Sequence, residues 1–357
     1  MHPFCFSSSS SASSLLVLHL LLLLLLRLSS PSLVWAPVSR TITVDRQGRG
    51  DFSTVQSAVD SVPDGNRDWV KVHVNAGSYW EKVTIPKQKD NILLEGDGSS
   101  STDISFNAHA HAGIDQIMRH PNAELDEYSP TFLSATFTVL ADNFVARDIS
   151  FKNTYRGHDM RKQNQAVAAL VGGDKSAFYG CEFDGFQDTL CDFKGRHYFR
   201  RCVVRGGVDF VFGYGQSIYE DCVLASVMPP PGTTSTTQQP GWVTAHARLH
   251  AGSPGGMVFK GGAVTGTGRI YLGRAWNGFA TVVFYGTRMD DVVVPQGWEA
   301  WNAGNDVSHV TFAEVGCTGA GSYMGRREGW VKHLSEEEVK RFVDMKFIDD
   351  GWLSLQP

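Results

Sequence analysis

Two aspartates stand in apolar surroundings within one stretch of the chain, Asp188 in Gln187-Asp188-Thr189-Leu190 and Asp209 in Asp209-Phe210-Val211-Phe212-Gly213. They are 209 − 188 = 21 residues apart, and Gln165 in Gln165-Ala166-Val167-Ala168 precedes Gln187 by 187 − 165 = 22. If about 21 residues return the chain to the same point of a repeating fold, these two carboxylates and two amides form one polar column. Two carboxylates that close resist ionising together, so one pKa rises and the pair titrates as a unit. Such a pair supplies one acid and one base or nucleophile. A lone aspartate more often caps a turn or pairs with a cation such as Arg196, Arg201 or Arg205. A whole polar stack beside Phe186, Phe210 and Phe212 costs stability unless it has a purpose.

The chemistry of that purpose is open between two classes. A carboxylate pair about 5 to 5.5 Å apart is the geometry of a retaining glycosidase, and it equally suits acyl transfer. The glutamines favour acyl transfer, because neutral amide donors stabilise an oxyanion, whereas an oxocarbenium-like transition state gains nothing from them. The chain has no Gly-x-Ser-x-Gly elbow and no His-Glu-x-x-His, so serine and zinc hydrolysis lack support. His109 and His111 sit in a loop-like stretch without Cys or acidic partners, and neither a metal nor a cofactor is expected.

Positioning such a column requires a repeat, and the sequence has one. Phe178-Tyr-Gly-Cys181-Glu-Phe183, Phe199-Arg-Arg-Cys202-Val-Val204 and Tyr219-Glu-Asp-Cys222-Val-Leu224 share aromatic-x-x-Cys-x-apolar, with cysteines 21 and then 20 residues apart. Short runs of β-formers broken by glycine, with no helical pattern between them, predict an all-β solenoid, a single-stranded parallel β-helix. Phe144 to Phe151, Met257 to Val264 and Thr281 to Tyr285 read as further rungs. Rungs lie about 4.8 Å apart, so positions 188 and 209 stack. The cysteines form a buried ladder, although pairing of Cys202 with Cys181 or Cys222 also fits the spacing.

Two helices frame the solenoid. Ser53-Thr-Val-Gln56 fits a capping box and opens a short helix through Val55, Ala58, Val59 and Val62 that plugs the first coil. Ser335-Glu-Glu-Glu338 makes a second capping box, with Leu334 and Val339 as a hydrophobic staple and Val339, Phe342 and Val343 facing the body. His109 to Pro130 and Val227 to Gly241 read as loops that wall a groove.

The chain of 357 residues is 42% hydrophobic and 19% charged, enough to bury a large core, and its net charge of −5 offers no basic footprint for nucleic acid. Leu15 to Leu26 is almost wholly apolar and is followed by Arg27, serines and Val34-Trp35-Ala36. That pattern predicts a signal peptide over residues 1–36 and a single catalytic domain over 37–357, secreted and without a membrane anchor once the signal is removed. Removal of Cys5 leaves Cys181, Cys191, Cys202, Cys222 and Cys317, an odd number, so at least one thiol stays free or pairs between chains.

From Ile42-Thr-Val-Asp45 to its C-terminus the chain resembles the plant pectinesterases (pectin methylesterases), of the group without an N-terminal inhibitor-like pro-region. The similarity is carried in order by Gly77-Ser-Tyr79-Trp-Glu81-Lys-Val83, Thr131-Phe-Leu-Ser-Ala-Thr136, Gln165-Ala-Val-Ala168, Gly185-Phe-Gln-Asp-Thr-Leu190, Asp209-Phe-Val-Phe-Gly213, Leu272-Gly-Arg274-Ala-Trp276 and Gly297-Trp-Glu-Ala-Trp-Asn302. The resemblance implies a right-handed β-helix acting on methylesterified homogalacturonan of pectin in the cell wall. It implies Asp209 as nucleophile, Asp188 as the acid that protonates methanol and then the base on water, and Gln165 and Gln187 as oxyanion donors. Arg274 would orient Asp209, Trp276 and Phe212 would line sugar subsites, and Thr131 would touch substrate. It also implies a monomer and a proteinaceous pectinesterase inhibitor as partner. The chain departs from the family pattern at Cys191, Leu170, Ala275 and His246, none of them a catalytic group. A β-helix glycosidase and an inactive pectin-binding β-helix are the alternatives.

Overall fold

Along each short run of β-formers, side chains alternate between a shared interior and the outside, and the chain bends after three to six residues. One coil runs through Ser176–Tyr179, Glu182–Asp184 and Leu190–Asp192, the next through Arg196–Arg200, Val203–Gly206 and Val211–Gly213, and the next through Gln216–Glu220, Val223–Ser226 and Gly241–His246. Every strand pairs in parallel with its counterpart one coil on, which sorts the strands into one ten-stranded and two eight-stranded sheets. This is the parallel β-helix that the repeat predicts. The computed structural model describes residues 1, 36–110, 129–156, 165–230, 239–304 and 306–357. The expected signal peptide up to Trp35, His111 and most of both expected groove-wall loops lie outside the described residues. Among the described residues no helix is long and apolar enough to cross a membrane.

The interior is a set of ladders. Phe178, Phe199, Tyr219, Phe259 and Phe284 are in register on successive coils, and their ring centroids follow at 4.9, 4.4, 4.6 and 4.6 Å. Each of the three inner rings therefore buries both faces against its neighbours, the offset-stacked arrangement that adds to area burial. Cys181, Cys202 and Cys222 stack beside them as buried thiols; all five described cysteines are free, so no disulfide joins the rungs. From Asp148 onward, where a coil turns out of the ten-stranded sheet, left-handed backbone recurs at Asp148, Gly180, Arg201, Asp221, Gly261 with Gly262, Gly286 and Gly316. Gly and Asp dominate because they tolerate positive φ most easily.

Both terminal helices form, with one change at the first. Val55–Asp60 buries Val55, Ala58 and Val59 against the first coils, but its N-cap is Thr54 and not Ser53. The Glu81 carboxylate accepts the Val55 and Gln56 backbone N–H groups at 2.9 and 3.0 Å. Gln56 turns away to accept the Thr84 N–H at 2.7 Å. A long-range acid therefore replaces the local capping box. At Glu336–Val343 the Ser335/Glu338 capping box is present, and Val339 and Phe342 pack with Tyr198, Ile218 and Val258 on the outer face of the ten-stranded sheet.

His246 is fully buried. Its Nδ1 accepts the Thr281 backbone N–H at 2.9 Å, an acceptor that protonation would destroy. Burial lowers its pKa from 6.5 to about 4. The unfolded chain thus gains this proton first as pH falls: the stability is fully present above pH 6.5, is lost between 6.5 and about 4, and falls no further below. The loss over that interval is about 3 kcal/mol at about 1.4 kcal/mol per pH unit. Thermal melts of the parent and His246→Gln between pH 7 and 4.5 are expected to diverge, the variant losing less stability on the acid side. Parallel decline would show that His246 does not set the acid sensitivity.

Candidate active site

The ladder pairs Leu190 with Val211 and Cys191 with Phe212, and a bridge pairs Gln187 with Val208. All have the same offset of 21, so Asp188 and Asp209 occupy equivalent positions on adjacent coils. Both stand where the chain bends from one eight-stranded sheet into the other, and both have left-handed backbone, φ +62° and +47°. Aspartate accepts that conformation at low cost, and a tight bend there leaves both carboxylates together at one corner. Glycine makes the corner possible at its next rung, because a Cβ on Gly241 would fall 1.8 Å from the Gly207 carbonyl oxygen. Asp188 and Asp209 are each only 4% exposed.

Gln187 sits on the same corner as Asp188 and is half-buried. Gln165 belongs to the preceding coil, where the pairing of Ala169 with Leu190 carries back four residues to put it opposite Phe186. Its side chain is buried, and its Oε1 has no hydrogen-bond partner among the described residues. Thr131 is buried in the helix Pro130–Leu133.

Arg274 reaches this corner from two coils away. Its Nε donates to Asp209 Oδ1 at 2.8 Å, and its Nη2 donates to Oδ2, closing a bidentate pair. Ala245, on the strand between, is in register with both Phe212 and Arg274, and its small side chain leaves the long arginine a path back to Asp209. The guanidinium lies against two indoles, 4.1 Å from the Trp242 centroid and 3.6 Å from that of Trp301. Trp301 also meets Trp276 at 5.6 Å. Trp276 stacks over Phe212 at 6.2 Å, and Phe212 has no exposed surface. Phe212, expected to line a sugar subsite, lies beneath Trp276 and supports it, and its strand faces the packed outer cluster of Leu170, Cys191 and Phe193.

Burial raises the Asp209 pKa above its ordinary value, and the charge and hydrogen bonds of Arg274 pull it back down. Burial, then the charges of Asp188 and Asp192, push the Cys191 thiol well up, so this cysteine is neutral beside the acids. One further polar group lies deeper: Asp192 meets His197 Nδ1 at 2.6 Å and accepts the Tyr219 hydroxyl at 2.8 Å, fully enclosed in the core. His109 is stacked on Tyr155 with centroids 3.9 Å apart.

The pectinesterase family model matches residues 41–351. The chain belongs to the pectinesterase family. Probable pectinesterase 29 of Arabidopsis thaliana is 43% identical over 324 residues, covering 88% of this chain and 89% of that protein. Probable pectinesterase 55 of the same plant is 42% identical, covering 88% and 91%. Among solved structures, a pectin methylesterase from carrot is 32% identical with a TM-score of 0.75, over 88% of this chain and 94% of that one. A pectin methylesterase from Erwinia chrysanthemi, at 22% identity and a TM-score of 0.72 over 90% and 100%, shares the fold. The solenoid is therefore the right-handed parallel β-helix of these enzymes, and the protein is a carboxylic-ester hydrolase that removes methyl esters from pectin.

In this pectinesterase the structure gathers Asp188, Asp209, Gln187 and Arg274 at one corner, with Trp276 adjoining through Trp301. Sequence reasoning missed Trp242 and Trp301 as neighbours of Arg274, although Trp301 lay within a quoted motif. It also missed the Asp192, His197 and Tyr219 group, for which alternation along the strands was the available signal. Removing Arg274 leaves a buried carboxylate without its counter-charge. Arg274→Gln is expected to lower stability by about 3 to 5 kcal/mol and to move the Asp209 carboxyl titration, followed by ¹³C NMR, to higher pH. An unmoved titration would show that the ion pair does not govern Asp209.

Proposed function

We propose that Asp209 is the nucleophile of methyl-ester hydrolysis and Asp188 its proton shuttle. The observation that carries this is the bidentate Arg274–Asp209 pair on the rung directly after Asp188. A carboxylate so held keeps one geometry, and Arg274 opposes the protonation that burial favours, which suits attack on a carbonyl carbon. Attack forms the Asp209 oxygen–carbon bond and places negative charge on the former carbonyl oxygen. The amides of Gln165 and Gln187 donate to that oxyanion. Gln165 has capacity left for this, since turning its amide over presents the NH₂ group in place of the unpartnered oxygen.

Collapse of the intermediate breaks the bond to the methoxy group while Asp188 gives it a proton, releasing methanol and leaving the galacturonyl group on Asp209. Asp188, now a carboxylate, takes a proton from the incoming water. Water attack on the acyl carbon frees Asp209 as a carboxylate and yields the galacturonic carboxyl group, which then loses its proton to solvent. Both acids end as they began, and the sequence of steps calls for no cofactor. Trp276 offers an aromatic edge for a pyranose ring, and Thr131 is the further substrate contact. The substrate is methylesterified homogalacturonan in the cell wall, reached after secretion and removal of residues 1–36, as the apolar Leu15 to Leu26 run and the family support. The family also supports a monomer and a proteinaceous pectinesterase inhibitor as partner; one relative, probable pectinesterase/pectinesterase inhibitor 21 of Arabidopsis thaliana, carries both terms in its name.

Methanol release and new reducing ends, measured together on methylated pectin, separate the alternatives. Methanol without reducing ends is expected; reducing ends would mean glycosidic cleavage, and neither product would mean a binding protein. Asp209→Asn is expected to abolish methanol release while the protein stays folded, and activity within about tenfold of the parent would refute the nucleophile. Gln187→Ala and Gln165→Ala are expected to lower kcat by about 10² to 10³. If both changed KM alone, they would be binding groups.

A further inference from the structure

The column at the catalytic corner does not end at Asp209. Val211 pairs with Thr244, an offset of 244 − 211 = 33, which carries Asp209 onto Trp242. Trp242 in turn pairs with Tyr271, so the corner reads Asp188, Asp209, Trp242 and Tyr271 on four successive rungs. The backbone fixes this rung, since Trp242 N–H donates to the Gly207 carbonyl at 3.1 Å. The indole stacks on Tyr271 at 5.9 Å and 10° and meets the guanidinium of Arg274 at 4.1 Å. Its own N–H is buried and makes no hydrogen bond among the described residues. What Trp242 supplies is ring face.

We propose that Trp242 is a positioning residue that acts through Arg274. With Trp301 it clamps the guanidinium on its aromatic faces, and the clamp holds the plane of the fork toward both oxygens of Asp209. The side chain of Arg274 is 14% exposed, so its charge has lost most of its water and the ring quadrupoles replace part of that solvation, the setting in which cation–π attraction is strongest. Without the wall, the guanidinium gains water and rotational freedom, and Asp209 loses one or both of its bonds. The groups that share this environment are Asp188 on the preceding rung, Cys191 on the strand after it, Tyr271, and Glu299, which is in register with Arg274 on the other side. Burial, then the charge of Glu299, raises the Tyr271 pKa, so this phenol stays neutral across the acidic limb.

The inference rests on Asp209 being the group whose ionised form reacts, and the test keeps the two apart. The acidic limb of kcat/KM on methylated pectin reports that ionisation in the free enzyme. Trp242→Leu is expected to move this limb to higher pH, as Arg274→Gln does, and to lower kcat by about 10- to 100-fold, the scale of a desolvated cation–π contact. Trp242→Phe, which keeps a ring face, is expected to restore most of both. Tetrafluorotryptophan at position 242 keeps shape while removing the quadrupole, so it gives the same displacement even where the leucine variant fails to fold. In the Arg274→Gln background, Trp242→Leu is expected to add nothing to the displacement. A raised KM with the limb and kcat unmoved would make Trp242 a sugar-stacking wall, or its N–H a substrate donor, and would overturn the proposal. A displacement for Arg274→Gln but none for Trp242→Leu or tetrafluorotryptophan would overturn it while leaving Asp209 in place. No displacement for Arg274→Gln would count against the Asp209 assignment itself.

Discussion

A carboxylate taken almost wholly out of water must keep a counter-charge in good geometry, and at Asp209 that requirement organises the corner. Desolvation alone drives Asp209 toward its neutral acid, while Arg274 opposes it through two parallel hydrogen bonds. A bidentate arginine suits this better than a lysine, because its fork fixes orientation as well as charge. The arginine is itself desolvated, and the two indoles against it supply attraction that water no longer does. Ion pair, aromatic walls and corner backbone are thus three parts of one solution to a single buried charge.

The solenoid supplies the precision. Parallel strands set one residue opposite its equivalent a coil later, so a side chain at a bend recurs at nearly fixed spacing without a dedicated loop to hold it. Left-handed backbone at Asp188 and Asp209 places both carboxylates at the bend, where sparsely populated conformations persist because the ladders on either side determine them. The continuous aromatic and cysteine ladders inside give the corner a stiff support. They also leave a few polar groups deep within, Asp192 with His197 and Tyr219, whose mutual hydrogen bonds meet the cost of burial.

What could be read from the residues alone follows from where the period is regular. The offset of 21 between Asp188 and Asp209 equals the coil length, so the stack and the solenoid were legible together, as were the cysteine ladder and the Ser335 capping box. Between Val211 and Thr244 the same coil carries an extra stretch and the offset becomes 33. Counting therefore hides Trp242, although it occupies the very next rung. Caps that depend on a distant partner were equally hidden: nothing near Thr54 announces Glu81. Alternation identifies Phe212 as an outward position but not that a second aromatic, here Trp276, covers it.

The central claim is that the galacturonyl group passes through a covalent bond to Asp209, and it can be tested by looking for that bond. Rapid acid quench of the enzyme during turnover on a short methylated oligogalacturonide, followed by proteolysis and mass mapping, reads the site directly. The account predicts an oligosaccharide-sized increment on the peptide containing Asp209, formed at the rate of the first methanol and absent in Asp209→Asn. An increment on Asp188 instead, or full turnover with solvent oxygen entering product and no enzyme adduct at any quench time, would contradict it.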